Sequence, residues 1–179
     1  VLPTDTIYGF HCIFSNIQAM RKIESMKGRP RAAGFILLAS SVEMADPLPG
    51  GWPGRSRRLA GRSTGDPVTF LLPAAPNLPE MLRPSGKVAV RIPAMERLRV
   101  LIDKTGMPIV STSVNRSGER PLTRISRIRE EFPGLPAYIS RRGRCSKRPS
   151  TIVDMGAGYP VIVREGAVSL RRILGKAGD

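Results

Sequence analysis

Ile17, Met20, Ile23 and Met26 recur every three positions and draw one apolar face of a helix. Asn16 is placed to cap its start, and Gly28 to stop it in the left-handed conformation, so the helix is predicted to end near Lys27. Pro30 then pushes Arg29 out of the α region and into an extended one, and Phe35–Ala39 follows as a run of buried-strand length. Val1-Leu2 reads as the tail of a strand leading into Pro3–Gly9, where Thr4 and Thr6 alternate and offer two hydroxyls to one side. Further strands are predicted at Pro67–Leu72, Lys87–Ile92, Pro108–Ser113, Ala137–Ile139, Ser150–Val153 and Pro160–Val163. Ala94–Thr105 reads as a helix with Met95, Leu98 and Ile102 inward, closed by Gly106 and Pro108. Thr123 is placed as the cap of a short helix carrying Ile125, Ile128 and Phe132 on one face, and Ser169 as the cap of a final one. Residues 45–65, rich in Gly, Pro, Arg and Ser, show no period and are expected to form a loop, unusually long for a small domain. Strands and helices are interspersed, which places the chain in the α/β class with a mixed sheet.

Composition changes this picture little. A chain of 179 residues fits one domain. No apolar run reaches the roughly 18 residues needed to span a bilayer, and no secretory signal opens the chain, so a cytoplasmic protein is expected. Cys12 and Cys145 lie far apart without metal-ligand spacing, and a single histidine, His11, rules out a His-rich metal site. The net charge of +15 is the one extreme value, and it attracts polyanions. It gathers at Arg55, Arg57, Arg58 and Arg62 and again at Arg141, Arg142, Arg144, Lys147 and Arg148. Solvated loops explain both clusters most simply, with RNA contact as the sharper alternative.

The candidate chemistry lies in hydroxyls and cations at strand ends. No phosphate-binding glycine motif is present, and His11, among apolar residues, is read as structural. Lys27 and Arg29 flank a helix end, where a favourable interaction with the helix dipole is the plain explanation. Ser111, Ser113 and Asn115 alternate on one extended segment; Lys87 and Arg91 share a strand face; Arg164 directly follows a strand. Ligands of open α/β sheets bind outside the carboxyl ends of strands, where this set gathers. Arginine forks, a lysine and hydroxyls suit a phosphate-bearing substrate, and phosphoryl or nucleotidyl transfer depends mainly on positioning and charge stabilisation.

Six stretches carry a resemblance that single residues do not: Pro3–Gly9, Lys27-Gly-Arg-Pro30, Pro67–Phe70, Val90-Arg-Ile-Pro93, Ser111–Gly118 and Pro149–Asp154. In this order they resemble the YrdC/TsaC family, the L-threonylcarbamoyladenylate synthases of tRNA modification, in its short single-domain form. The resemblance implies a twisted mixed sheet flanked by helices around a basic cavity, spanning 1–179 as one domain that lacks the family's N-terminal helix and most of its first strand. It implies a nucleotidyltransferase that makes threonylcarbamoyl-AMP and pyrophosphate from L-threonine, bicarbonate and ATP, with Mg²⁺. A downstream transfer complex would then place the threonylcarbamoyl group on adenosine 37 of tRNAs reading codons that begin with A. By the same resemblance Lys27, Arg29, Ser113, Asn115 and Arg164 hold the nucleotide, with Lys87 a weaker member. Thr6, Arg91, Ser111 and Ser150 hold threonine, Arg91 through its carboxylate. Lys27, Arg29, Ser113 and Asn115 form the catalytic set, with no protein metal site.

Two departures stand out. Trp52-Pro-Gly54 is separated from Pro67 by an arginine-rich insert, and Ala33-Gly34-Phe35 follows the Lys-Gly-Arg-Pro stretch where many members have a polar residue and Pro-Leu. The alternative reading is an RNA- or ribosome-binding module of the same fold without catalysis, which the charge favours. Such a module has no need of Ser113 and Asn115 opposite Lys27 and Arg29.

Overall fold

The computed structural model describes residues 1–28, 34–139, 148–157 and 159–175. Among these, eight strands form one sheet: β1 (Leu2–Pro3), β2 (Tyr8–Ile13), β3 (Ile36–Leu38), β4 (Val68–Pro73), β5 (Lys87–Arg91), β6 (Ile109–Ser113), β7 (Thr151–Asp154) and β8 (Val161–Arg164). Their spatial order is β1-β2-β6-β3-β5-β4-β7-β8. The β3–β5 and β4–β7 pairs are parallel and the others antiparallel, so the sheet is mixed as the strand pattern predicts. The helices are α1 (Ile17–Lys27), α2 (Val42–Ala45), α3 (Ser56–Arg62), α4 (Glu96–Thr105), α5 (Ile125–Glu131) and α6 (Leu170–Gly175).

The two-residue period of the strands sorts the sheet into two unlike faces. Val88 and Val90 of β5, Val110 of β6, Leu37 of β3 and Val68, Phe70 and Leu72 of β4 all enter the main core, with Met20 and Ile23 of α1 and Ile128 of α5. On the opposite face, Leu38 and Ile109 are covered by Leu98 and Ile102 of α4 in a second, smaller cluster. Beyond α4 that face is open. Lys87, Ala89 and Arg91 of β5 and Ser111 and Ser113 of β6 lie there, because each is one residue out of step with a core valine.

α1 begins and ends as expected. Asn16 Oδ1 accepts from the Ala19 amide at 2.9 Å, and Gly28 takes φ 58° and ψ 39°, which a side chain would disfavour. Its buried line is Met20, Ile23 and Lys27, whereas Ile17 is 41% exposed. A helix turns about 100° per residue, so steps of three drift off one stripe while the i, i+3, i+7 set stays on it.

Several expectations are corrected. Residues 45–65 do not form one loop: α3 lies within them, burying Leu59 and Ala60 while Arg57 forks onto Asp46 at 2.9 and 2.8 Å. Two apolar residues among arginines are too few to show a period. Ala137–Ile139 is not a strand, although Val1 N donates to Ala137 O at 2.7 Å and Ile139 N to Val1 O at 3.0 Å along the edge of β1. Thr123 does not cap α5, which starts after Arg124 without a side-chain cap bond. Ser169, by contrast, accepts from the Arg172 amide at 3.4 Å at the start of α6. Tyr8–Ile13 forms β2, which the pattern misses because Gly9 and the His11-Cys12 pair interrupt its alternation. Among the described residues no helix is long and apolar enough to cross a membrane.

Candidate active site

The open part of the sheet is the floor of a cavity of about 700 Å³. Thr4 and Thr6 border it from the turn between β1 and β2, Ser150 and Asp154 from β7 and its approach, and Arg164 from the end of β8.

One pole is built around Arg91, which is only 5% exposed. Its guanidinium donates to Asp5 Oδ2 at 2.7 Å and to Thr6 Oγ1 at 3.1 Å, and the Ala94 amide adds a second donor to the same Asp5 oxygen at 3.2 Å. Proton counting fixes the hydroxyls beside it. Thr4 donates to the Ile7 carbonyl at 2.7 Å, so the 3.0 Å contact between Thr4 and Thr6 has Thr6 as donor. Thr4 also accepts from the Thr6 and Ile7 amides at 3.1 and 3.2 Å, which closes the turn. The pair of threonines expected to point one way does so, and it holds the arginine fork in register.

A second pole joins three residues from distant parts of the chain. The Lys27 ammonium donates to the Ser113 carbonyl at 2.5 Å, the Asn115 carbonyl at 2.9 Å and Asn115 Oδ1 at 3.0 Å. Asn115 Oδ1 also accepts the Ser113 hydroxyl, and its Nδ2 donates to the carbonyls of Arg116 at 2.7 Å and Glu119 at 3.0 Å. The Ser117 amide donates to the Lys27 carbonyl at 2.7 Å, so the end of α1 grips the 113–117 strap by main chain and side chain alike. Lys27 is 4% exposed, and a charge so buried requires such a set of acceptors. It stands behind the strap; Ser113 and Asn115 line the cavity and Lys27 does not.

The remaining cations differ in how they are matched. Lys87 pairs with Asp154 across β5 and β7, an ion pair 41% and 21% exposed on its two sides. Burial works to raise the Asp154 carboxyl, but the Lys87 ammonium and the Gly156 amide outweigh it and hold it below the usual carboxylate range. Arg164 donates to the Ser150 carbonyl at 2.9 Å and, among the described residues, has no carboxylate within ion-pair distance. Burial, with the nearby charge of Arg91, lowers its pKa, so an anion between the two guanidiniums would relieve both effects. The Ser150 hydroxyl meets Thr69 at 2.8 Å in the wall.

Thr6, Lys87, Arg91, Ser111, Ser113, Asn115, Ser150 and Arg164 are therefore brought to one cavity, and Lys27 to its back wall. Arg29, Arg141, Arg142, Arg144, Lys147 and Cys145 lie outside the described residues. Cys12 is partly buried, and burial pushes its thiol up to about 11, which leaves it a poor nucleophile. Sequence reasoning passed over Asp5 and Asp154, the partners of Arg91 and Lys87, although both stand inside quoted motifs. A carboxylate inside a Pro-Thr-Asp-Thr run was the available signal.

His11 faces the same side of the sheet as Ser111, its direct partner across β2 and β6. Burial lowers its pKa from 6.5 to about 3, against a smaller opposing effect of the Gly9 backbone. The unfolded chain therefore takes up a proton below pH 6.5 that the folded chain refuses down to about 3. Stability contributed by the neutral ring is complete above 6.5 and falls by up to about 1.4 kcal/mol per pH unit below it. Urea midpoints measured at pH 7 and pH 4.5 are expected to differ less in His11→Gln than in the native chain; equal differences would contradict a neutral ring.

The Sua5/YciO/YrdC family model, described as telomere recombination, matches residues 1–166. The threonylcarbamoyl-AMP synthase of Thiobacillus denitrificans is 32% identical over 157 residues, covering 87% of this chain and 84% of its own. The enzyme of the same name from Chromobacterium violaceum is 33% identical over 160 residues, covering 87% and 81%. Among solved structures, P. abyssi Sua5 complexed with L-threonine superposes with a TM-score of 0.88 at 31% identity over 98% of this chain; the chain spans about half of that protein, 52%. E. coli YciO shares the fold, with a TM-score of 0.85 at 23% identity over 97% of this chain and 85% of its own. The chain belongs to the Sua5/YciO/YrdC family.

Proposed function

We propose that this chain is a threonylcarbamoyl-AMP synthase, acting in the cytoplasm on L-threonine, bicarbonate and ATP. The observation that carries the reading is the convergence on one cavity of a fixed arginine fork, a hydroxyl-bearing strap and a second guanidinium that has no carboxylate partner among the described residues. The curated relatives bear that enzyme's name, and P. abyssi Sua5 was solved with L-threonine.

In this reading Arg91, Thr6, Ser111 and Ser150 receive threonine, with the Arg91 fork on its carboxylate. Ser113 and Asn115, stiffened by Lys27, and Arg164, with Arg29 and Lys87, receive the nucleotide. The threonine amine attacks the bicarbonate carbon and water leaves, giving a carbamate. A carbamate oxygen then attacks the α-phosphorus of ATP as the bond to pyrophosphate breaks. Negative charge shifts to the leaving pyrophosphate, and oriented cations lower that barrier without a covalent intermediate on the protein. Among the described residues no three His, Cys, Asp or Glu side chains converge. Mg²⁺ would accordingly be carried in on the phosphates, a common arrangement for that ion. A downstream complex would pass the threonylcarbamoyl group to adenosine 37 of tRNA.

A coupled assay of pyrophosphate release tests the reading. Release is expected only when ATP, L-threonine and bicarbonate are all present, and omission of any one should return it to background. Release that ignores threonine would overturn it. Exposed Arg55, Arg58 and Arg62 around α3 favour a second, separate contact with RNA. If basic side chains alone make that contact, its affinity should fall steeply with salt; a salt-insensitive, base-specific interaction would instead favour the non-catalytic module.

A further inference from the structure

We propose that His11 is a positioning residue for the substrate cavity: its neutral ring donates from Nε2 to Ser111 Oγ and so turns the Ser111 hydroxyl proton into the cavity. The inference rests on reading that cavity as the threonine site. His11 Nε2 lies 3.2 Å from Ser111 Oγ. Ser111 lines the cavity and is 8% exposed, whereas His11 stands behind it and does not line the cavity.

The tautomer follows from what the other nitrogen lacks. Among the described residues His11 Nδ1 is buried with no hydrogen bond of good geometry, and the Gly9 backbone interacts with the ring only weakly enough to oppose, not outweigh, its burial. Were the proton on Nδ1, a buried N–H would be orphaned, and unpaired donors are rarer in proteins than under-used acceptors. With the proton on Nε2 only a lone pair is left bare, and the single N–H of the ring has Ser111 as its acceptor. Ser111 is then left with its own O–H to give. That donor complements a carboxylate and works beside the Arg91 fork, which also faces the cavity. The burial that keeps the ring uncharged keeps this arrangement fixed through the neutral range.

The backbone is shaped for the contact. A Cβ on Gly9 would lie 2.7 Å from His11 Cε1, 2.9 Å from Nε2 and 3.2 Å from Ser111 Oγ. The ring thus occupies the space that the missing side chain leaves, directly against the hydroxyl it orients.

A mutant cycle separates positioning from mere packing. Ser111→Ala is expected to raise the KM for L-threonine about tenfold, and His11→Leu about fivefold with kcat and the KM for ATP within twofold, in keeping with one hydrogen bond lost or misdirected. His11→Gln, which can return an N–H to the Nε2 position, should recover most of the loss. In the Ser111→Ala background His11→Leu should change nothing further. An additive effect there, or a normal threonine KM in His11→Leu while Ser111→Ala is impaired, would overturn the role of His11 and leave the site reading intact. A normal threonine KM in Ser111→Ala would overturn both. Should His11→Leu fail to fold, His11→Asn, too short to bring its amide to Ser111, is read in its place against the same outcomes.

Discussion

Replacing Arg91 by alanine is expected to abolish threonine-dependent pyrophosphate release and to destabilise the fold by about 3–5 kcal/mol, the usual cost of stranding one partner of a buried ion pair. The side chains of Arg91 and Asp5 are 5% and 12% exposed, and among the described residues Asp5 has no other cation in ion-pair contact once the 2.7 Å partner is gone. Among the described residues Asp5 Oδ1 is buried without a hydrogen-bond partner, so the carboxylate depends on that contact and on the Ala94 amide. Loss of activity alone could follow from loss of structure. The double variant Asp5→Ala/Arg91→Ala removes the stranded charge and should regain most of the stability, read as a urea midpoint, while activity stays at least a hundredfold down. A double variant with restored activity would mean that Arg91 serves the fold and not the substrate.

Lys27→Ala is the second large effect. It strips the ammonium donor from two carbonyls and leaves Asn115 Oδ1 with the Ser113 hydroxyl alone. Unsatisfied buried acceptors cost about 1–3 kcal/mol each before relaxation. A net loss of about 3 kcal/mol would lower the melting temperature by roughly 10 °C in a chain of this size. The strap that carries Ser113 and Asn115 into the cavity would lose its anchor, and pyrophosphate release should vanish. Affinity for RNA should stay nearly unchanged if RNA is held by the exposed arginines. Lys27→Arg should not rescue, because a planar fork cannot converge on three acceptors as a tetrahedral ammonium does. Full activity in Lys27→Ala would remove both this residue and the strap from the site.

Local features of this architecture were legible in the amino-acid order. The caps of α1, the alternation Lys87-Val-Ala-Val-Arg91 and the polar end of β6 each depend on neighbours a few residues away, and each stands as read. The side on which Lys87 and Arg91 emerge follows from the valines between them. What joined the two poles was not legible from periodicity, since Lys27 meets Asn115 across 88 positions and Arg91 meets Asp5 across 86. Those meetings depend on β6 lying between β2 and β3, a pairing that no local pattern encodes. The ordered resemblance of six motifs supplied the grouping that spacing could not. It did not reveal that Lys27 sits on the buried stripe of its helix, although the 20-23-27 spacing is itself a core pattern. Nor did it reveal α3, whose two buried residues are hidden among arginines.

The most direct test of the central claim is mass spectrometry of the purified chain's product from ATP, L-threonine and ¹³C-labelled bicarbonate. A threonylcarbamoyl-AMP adduct one mass unit heavier than with unlabelled bicarbonate, formed in step with pyrophosphate, is the expected result. Pyrophosphate without a labelled adduct, or no turnover from a folded chain, would contradict it.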